Sequence, residues 1–237
     1  MSNIKYLWTP PPVASLPIRG KEERLPVNRM FFVGRNYHAH AAEMGKSVDK
    51  SVEKPFYFTK SLHTLVQSGQ TIHYPPKTTN FHFEMELVVV IGHHGFQVAP
   101  EKAHSLIYGY ACGLDMTRRD LQLSAREQSR PWDLGKDVEE TSICSEVVPM
   151  PEKVIEDASI SLTVNGQTKQ NSNVSKLIWN IREIIADLSL HYHLEPGDLI
   201  YTGTPEGVGP VVPGDKLHGE VGGVGSISLT IGEPKKA

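Results

Sequence analysis

Residues 82–92, His-Phe-Glu-Met-Glu-Leu-Val-Val-Val-Ile-Gly, constrain the fold more than any other stretch of the chain. The β-branched run and the closing glycine specify a strand, because Val and Ile fit a pleated surface and lose rotamer freedom in a helix. Alternation then sorts the side chains. Met85, Leu87 and Val89 point to one face. Glu84 and Glu86 point together to the other, and Val88 and Val90 continue that side, so the acidic face turns apolar beyond Glu86. Two carboxylates at the end of so apolar a strand repel one another, and burying both is costly unless a cation sits between them. Spacing alone leaves the alternative open, an exposed strand end with two ordinary surface glutamates.

Further short strands are expected at 30–33, 55–60, 108–116, 160–164, 198–202, 215–217 and 225–231, with Asn165-Gly166 as a hairpin turn. Helical composition or spacing marks 38–44, 100–105, 117–129 and 179–190, the last carrying Ile181, Ile184, Ile185 and Leu188 on one face. Many short strands, a few short helices and no βαβ rhythm define a β-rich α+β domain. Residues 1–25, rich in proline, read as an extended N-terminal arm ahead of a single domain over 26–237. A net charge of −3 with scattered Lys and Arg gives no basic stripe for nucleic acid. No run approaches the ~20 apolar residues of a membrane span, and residues 1–12 hold no signal-peptide core, so a cytoplasmic setting is the default. No glycine-rich loop leads a strand into a helix, so no nucleotide cofactor is expected. The two cysteines, Cys112 and Cys144, form no metal-binding pair and read as small buried residues.

A third acid, Asp115, follows the apolar run at 108–114 directly. Alone it is equally a helix N-cap. With Glu84 and Glu86 it completes an all-oxygen, highly negative set suited to a hard cation, Mg²⁺, Mn²⁺ or Ca²⁺. His82 lies on the Glu84 side as a hydrogen-bonding neighbour rather than a ligand. His40 and Glu43 stand three apart on the expected helix at 38–44 and share a face. A histidine oriented by a carboxylate can serve as a general base. The same spacing also describes a solvated helical pair, and His38 is as eligible as His40 from composition. Of the adjacent Arg118 and Arg119, one is expected to meet a solvent ion pair.

The stretches GRNYHAHAAEMG, PFYFTKS, HFEMELVVVIG, YGYACGLDMTRRDLQ, RPWDLGK and LIYTGTPEGVGPV, in this order, resemble the fumarylacetoacetate hydrolase family over residues 26–230. The segment DMTRRDLQLSAREQSRPWDLGK resembles its subgroup acting on fumarylpyruvate in gentisate breakdown. The resemblance implies a mixed β-sandwich roll flanked by a few helices, usually a homodimer. It implies Mg²⁺ or Mn²⁺ on Glu84, Glu86 and Asp115, a catalytic pair at His40 and Glu43, and substrate contacts at Arg119, Gln122, Lys136 and Thr204. The substrate would be an acylpyruvate, a small 2,4-dioxo acid. Lys136 would stabilise oxyanion charge at the attacked carbonyl, Arg119 would grip a carboxylate, and the Thr204 hydroxyl would bind the pyruvoyl carboxylate. For fumarylpyruvate a second carboxylate needs a partner, with Arg35, Lys60, Arg126 and Arg130 as candidates. The family also includes maleylpyruvate and acetylpyruvate hydrolases, enolate-forming isomerases and oxaloacetate decarboxylases, which stay open as alternatives.

Overall fold

The computed structural model describes residues 4–236. At its centre is an eight-stranded mixed sheet. Its order runs Phe56–Thr59, Arg29–Gly34, Asp198–Tyr201, Met85–Ile91, Ile107–Asp115, Ser142–Cys144, Leu65–Gln67, and Val148–Pro149 also pairs with Ile107–Asp115. Met85–Ile91 lies in the middle and is buried along its whole length. The alternation expected from the sequence is observed. Met85, Leu87 and Val89 enter the larger core, shared with the five-stranded sheet built on Ser159–Val164 and Lys216–Val221. Val88 and Val90 enter a second, smaller core.

That second core is closed by a hairpin of Ser15–Pro17 with Arg24–Pro26, whose Leu16 and Leu25 are buried in it. Over these residues the expected N-terminal arm is therefore a paired ribbon lying on the central sheet; residues 1–3 of the arm lie outside the described residues. Among the described residues four α-helices flank the sheets: α1 (His38–Glu43), α2 (Arg119–Glu127), α3 (Asp133–Lys136) and α4 (Ile181–His191). α4 starts on a capping box, with Asn180 accepting from the Glu183 N–H and the Glu183 carboxylate accepting from the Asn180 N–H. Its Ile181, Ile184, Ile185 and Leu188 complete the larger core. No helix among the described residues is long and apolar enough to cross a membrane.

Residues 82–92 are two strands, not one: Phe81–Phe83 turns away at Glu84 and joins a separate three-stranded sheet with Thr117–Arg118 and Gly209–Val211. At Glu84 the ladder with Ile107–Asp115 ends, the Glu84 carbonyl still accepting from the Asp115 N–H at 2.9 Å, and Phe81–Phe83 before it pairs instead with Thr117–Arg118. The residues expected to begin a helix at 117 instead start with that short strand, and α2 begins at Arg119.

The parallel pairing of Arg29–Gly34 with Asp198–Tyr201 is anchored by a fully buried Asp198. Its carboxylate accepts from Arg29 Nε (3.0 Å) and Nη2 (2.6 Å), Asn28 Nδ2 (2.8 Å) and the Glu195 N–H (2.9 Å). Asp198→Ala orphans these donors and should cost about 2–3 kcal/mol in a urea unfolding titration. A loss under about 0.5 kcal/mol would mean that water replaces the carboxylate fully.

Candidate active site

Three elements deliver the acids. Glu84 sits at the break, Glu86 one step inside the Met85–Ile91 strand, and Asp115 at the end of Ile107–Asp115. All three are buried, and each offers a carboxylate oxygen within 4.8 Å of the others. Asp115 caps no helix: it closes a strand, where its backbone is held against Glu84.

Cations neutralise this cluster unevenly. Lys136 Nζ donates to Glu84 Oε2 (2.8 Å), Asp115 Oδ2 (2.5 Å) and Thr117 Oγ1 (2.7 Å). Burial works against the Lys136 ammonium, yet the charges of Asp115 and Glu84 hold its pKa above the ordinary lysine value. Arg119 Nη2 donates to Glu84 Oε1, and its Nη1 to Gln122 Oε1 at 2.5 Å. Burial pushes Glu84 up, but Lys136, Arg119 and His40 outweigh it and hold the carboxyl below the usual range. Glu86 has no such cation. Its Oε2 accepts from the Gly203 N–H at 2.7 Å, while burial and then the charges of Asp115 and Glu84 push its pKa well above the usual carboxylate range. One carboxyl of the three is thus buried with like charges and without a counter-ion, the condition that a divalent cation relieves. The donor set, oxygen only, suits Mg²⁺ or Mn²⁺.

Glycines make two of these placements feasible. Gly203 has φ +101°, which few other residues tolerate, and a Cβ there would lie 2.7 Å from Asn36 Cβ. Gly135 lets α3 press onto α2, since a Cβ would lie 2.8 Å from the Gln122 nitrogen. That approach brings Lys136 to the acids.

A cavity of about 330 Å³ opens onto the cluster. His40 lines it, 6% exposed. Its Nδ1 lies 3.2 Å from Glu43 Oε2, and Glu43 Oε1 accepts from the Gly207 N–H at 3.2 Å. The hydrogen bond from His40 is the main reason that the Glu43 carboxyl falls below its ordinary value. Thr204 also lines the cavity, and its Oγ1 accepts from Gln170 Nε2 at 2.8 Å, leaving the hydroxyl proton free to be donated elsewhere. Part of the lining is aromatic: Phe56 and Phe58 set edge-on against Trp132.

Most expected residues therefore converge: Glu84, Glu86, Asp115, His40, Lys136, Arg119, Gln122, Thr204 and Arg35 all line this cavity, with Glu43 directly behind His40. Lys60 does not line it. It lies behind the cluster, fully buried, its ammonium donating to Asp115 Oδ1 (2.9 Å), the Thr141 carbonyl (2.9 Å) and the Met116 carbonyl (3.3 Å). Its three donors are spent on Asp115 and two backbone carbonyls, so none is left for a substrate carboxylate. Arg118 meets no solvent ion pair; it is buried and donates to the carbonyls of Leu134 and Pro76. His82 is no ligand: Nε2 bonds Asn80 Oδ1 at 2.8 Å, and burial and Arg119 push its pKa down to about 4.

Sequence reasoning missed the clamp that carries α1. Asn36, fully buried, donates to the carbonyls of Trp179 and Thr202 and accepts from the Trp179 N–H. It also missed Gln170, whose side chain ties the Met85 N–H to Thr204. The only signal was an asparagine directly after Gly-Arg, which resembles an ordinary turn.

A family model described as Fumarylacetoacetate (FAA) hydrolase C-terminal matches residues 29–232. A fumarylpyruvate hydrolase of Ralstonia sp is 69% identical over 189 residues, covering 80% of this chain and 98% of that protein. The mitochondrial oxaloacetate tautomerase FAHD1 of Homo sapiens is 36% identical over 206 residues, covering 86% and 91%. Among solved structures, the fumarylpyruvate hydrolase from Pseudomonas aeruginosa in complex with Mn²⁺ and pyruvate superposes with a TM-score of 0.92 at 41% identity, covering 97% of this chain and 100% of that one.

Proposed function

The chain belongs to the fumarylacetoacetate hydrolase family, and from that premise we propose that it hydrolyses the carbon–carbon bond of an acylpyruvate, taking fumarylpyruvate and water to fumarate and pyruvate. The observation that carries this reading is the opening of the buried acid cluster and the His40–Glu43 pair onto one cavity. Glu84, Glu86 and Asp115 would hold Mg²⁺ or Mn²⁺, which when bound supplies positive charge to the pyruvoyl oxygens and to the enolate that leaves.

The chain's own groups do the rest. Glu43 accepts from His40 Nδ1 and so leaves Nε2 with its lone pair, ready to take a proton from water. Water then adds to the carbonyl of the fumaryl group; collapse of that adduct breaks the bond to the methylene carbon, releasing fumarate and the pyruvate enolate, whose methylene carbon takes the proton that His40 removed from water. Arg119 and Gln122 receive the pyruvoyl carboxylate together with the Thr204 hydroxyl. Lys136 donates to the oxyanion once substrate displaces one of its three present partners. Burial of the cluster keeps bulk water from competing for these contacts. The same reading includes a homodimer, as the family resemblance implies, and a cytoplasmic setting, in keeping with two buried free cysteines.

Protein supplied with Mn²⁺ should release fumarate and pyruvate in equal amounts from fumarylpyruvate, quantified by chromatography. A chelator should stop the release, and added metal should restore it. No pyruvate from fumarylpyruvate, maleylpyruvate or acetylpyruvate would remove the hydrolase reading. Turnover of oxaloacetate alone would replace it with enolate chemistry that needs no water.

A further inference from the structure

Fumarylpyruvate carries a carboxylate at each end, and only one of them is met by the groups assigned so far. Resting on the hydrolase reading above, we infer that Arg126 receives the far carboxylate and so sets the preference for acyl groups that end in one.

Arg126 stands on α2 seven residues beyond Arg119 and four beyond Gln122, so all three share one face of the helix, and all three line the cavity. Seven residues advance a helix by about 10 Å. Six carbon–carbon bonds separate the terminal carboxylate carbons of fumarylpyruvate, an extended span of about 7–8 Å. A substrate with its pyruvoyl end at Arg119 therefore reaches the stretch of cavity served by Arg126.

The charge there is free. Among the described residues no carboxylate pairs with Arg126; its Nη1 donates to the Met44 carbonyl at 3.3 Å, and Nε and Nη2 make no hydrogen bond. Two parallel donors on a half-buried guanidinium match a carboxylate. The other candidates are weaker. Arg35 lies over the Phe56 ring and has Glu53 3.7 Å away. Lys46 is exposed and offers a mobile ammonium. Arg130 does not line the cavity. Phe58 and Trp132 line the same cavity as the two arginines and offer flat surfaces against which a planar enoyl group can lie. The Met44 contact adds a consequence: the residue that reads the far carboxylate also holds the end of α1, the helix of His40 and Glu43.

The test compares fumarylpyruvate with crotonylpyruvate, which has a methyl group in place of the far carboxylate and the same length and planarity. The wild type should favour fumarylpyruvate in kcat/KM. Arg126→Met should lower the ratio of the two kcat/KM values by about 30-fold or more, and Arg126→Lys by less. A purely structural role would depress both substrates together and leave the ratio in place, which would overturn the inference. So would a larger loss of the ratio on Arg35→Met or Lys46→Met than on Arg126→Met. No pyruvate from either substrate in the wild type overturns the hydrolase reading and this inference with it; pyruvate release with an unchanged ratio in both Arg126 variants overturns the inference alone.

Discussion

Glu86→Gln should leave the metal-free protein at least as stable as the wild type while removing metal binding and nearly all activity. The three acids are not equivalent. Glu84 is paired with Lys136 and Arg119, and Asp115 with Lys136 and Lys60. Glu86 has only the Gly203 N–H and two like-charged neighbours. A neutral amide there keeps shape and an acceptor oxygen but removes the repulsion that the metal-free fold carries. Removing charge from Asp115 has the opposite sign, because two buried ammonium groups then lose a partner. Wild-type protein with Mn²⁺ at about 100 times its dissociation constant gains about 2.7 kcal/mol, or roughly 5–10 °C in Tm for a chain of this size. Glu86→Gln should show less than about 2 °C of that shift, with pyruvate release down at least about 10³-fold. Asp115→Asn should lower the Tm even without metal. Calorimetry with and without Mn²⁺ reads the stability changes, and a pyruvate-release assay reads the activity. An undiminished Mn²⁺ shift in Glu86→Gln would mean that the ion binds elsewhere.

That asymmetry was invisible in the sequence, although the acids themselves were not. Glu84 and Glu86 were candidates because two carboxylates on an apolar strand are costly to bury together, Asp115 read equally as a helix N-cap, and the family resemblance joined the three. The alternation that sends Val88 and Val90 to one core and Leu87 and Val89 to the other was readable because it is local. What balances each acid is not local. Lys60 lies 55 positions before Asp115 and Lys136 lies 21 after it, and their arrival depends on sheet register and on how α3 packs against α2. A lysine at the end of an aromatic strand looks the same whether it faces substrate or supports a ligand. Asn36 and Gln170 were missed likewise, since a buried amide is recognised only by the carbonyls and N–H groups around it. The break at Glu84 had no signal either, as Phe81–Phe83 and Met85–Ile91 both favour extended strand and part where they pair with different neighbours.

His40→Asn should lower pyruvate release from fumarylpyruvate by about 10²–10⁴-fold while leaving the Mn²⁺-dependent rise in Tm in place. The imidazole lies outside the carboxylate set, so metal binding does not need it. In the proposed hydrolysis water adds to the carbonyl only as fast as it gives up a proton, and His40 is the imidazole that lines the cavity beside the acids. Glu43→Gln should cost less, about 10–10²-fold. The amide can still meet His40 Nδ1 and the Gly207 N–H, but it no longer forces the proton onto Nδ1, so part of the population presents Nε2 protonated and unable to accept. The ordering of the two losses separates two roles for the carboxylate. Were Glu43 itself the base, Glu43→Gln would be the more damaging change. Were the pair merely structural, both variants would lose Tm in proportion to activity. Steps that need only an enolate, such as oxaloacetate tautomerisation, should survive His40→Asn better than hydrolysis does. Equal loss of both reactions would show that His40 handles a proton of the substrate rather than one of water.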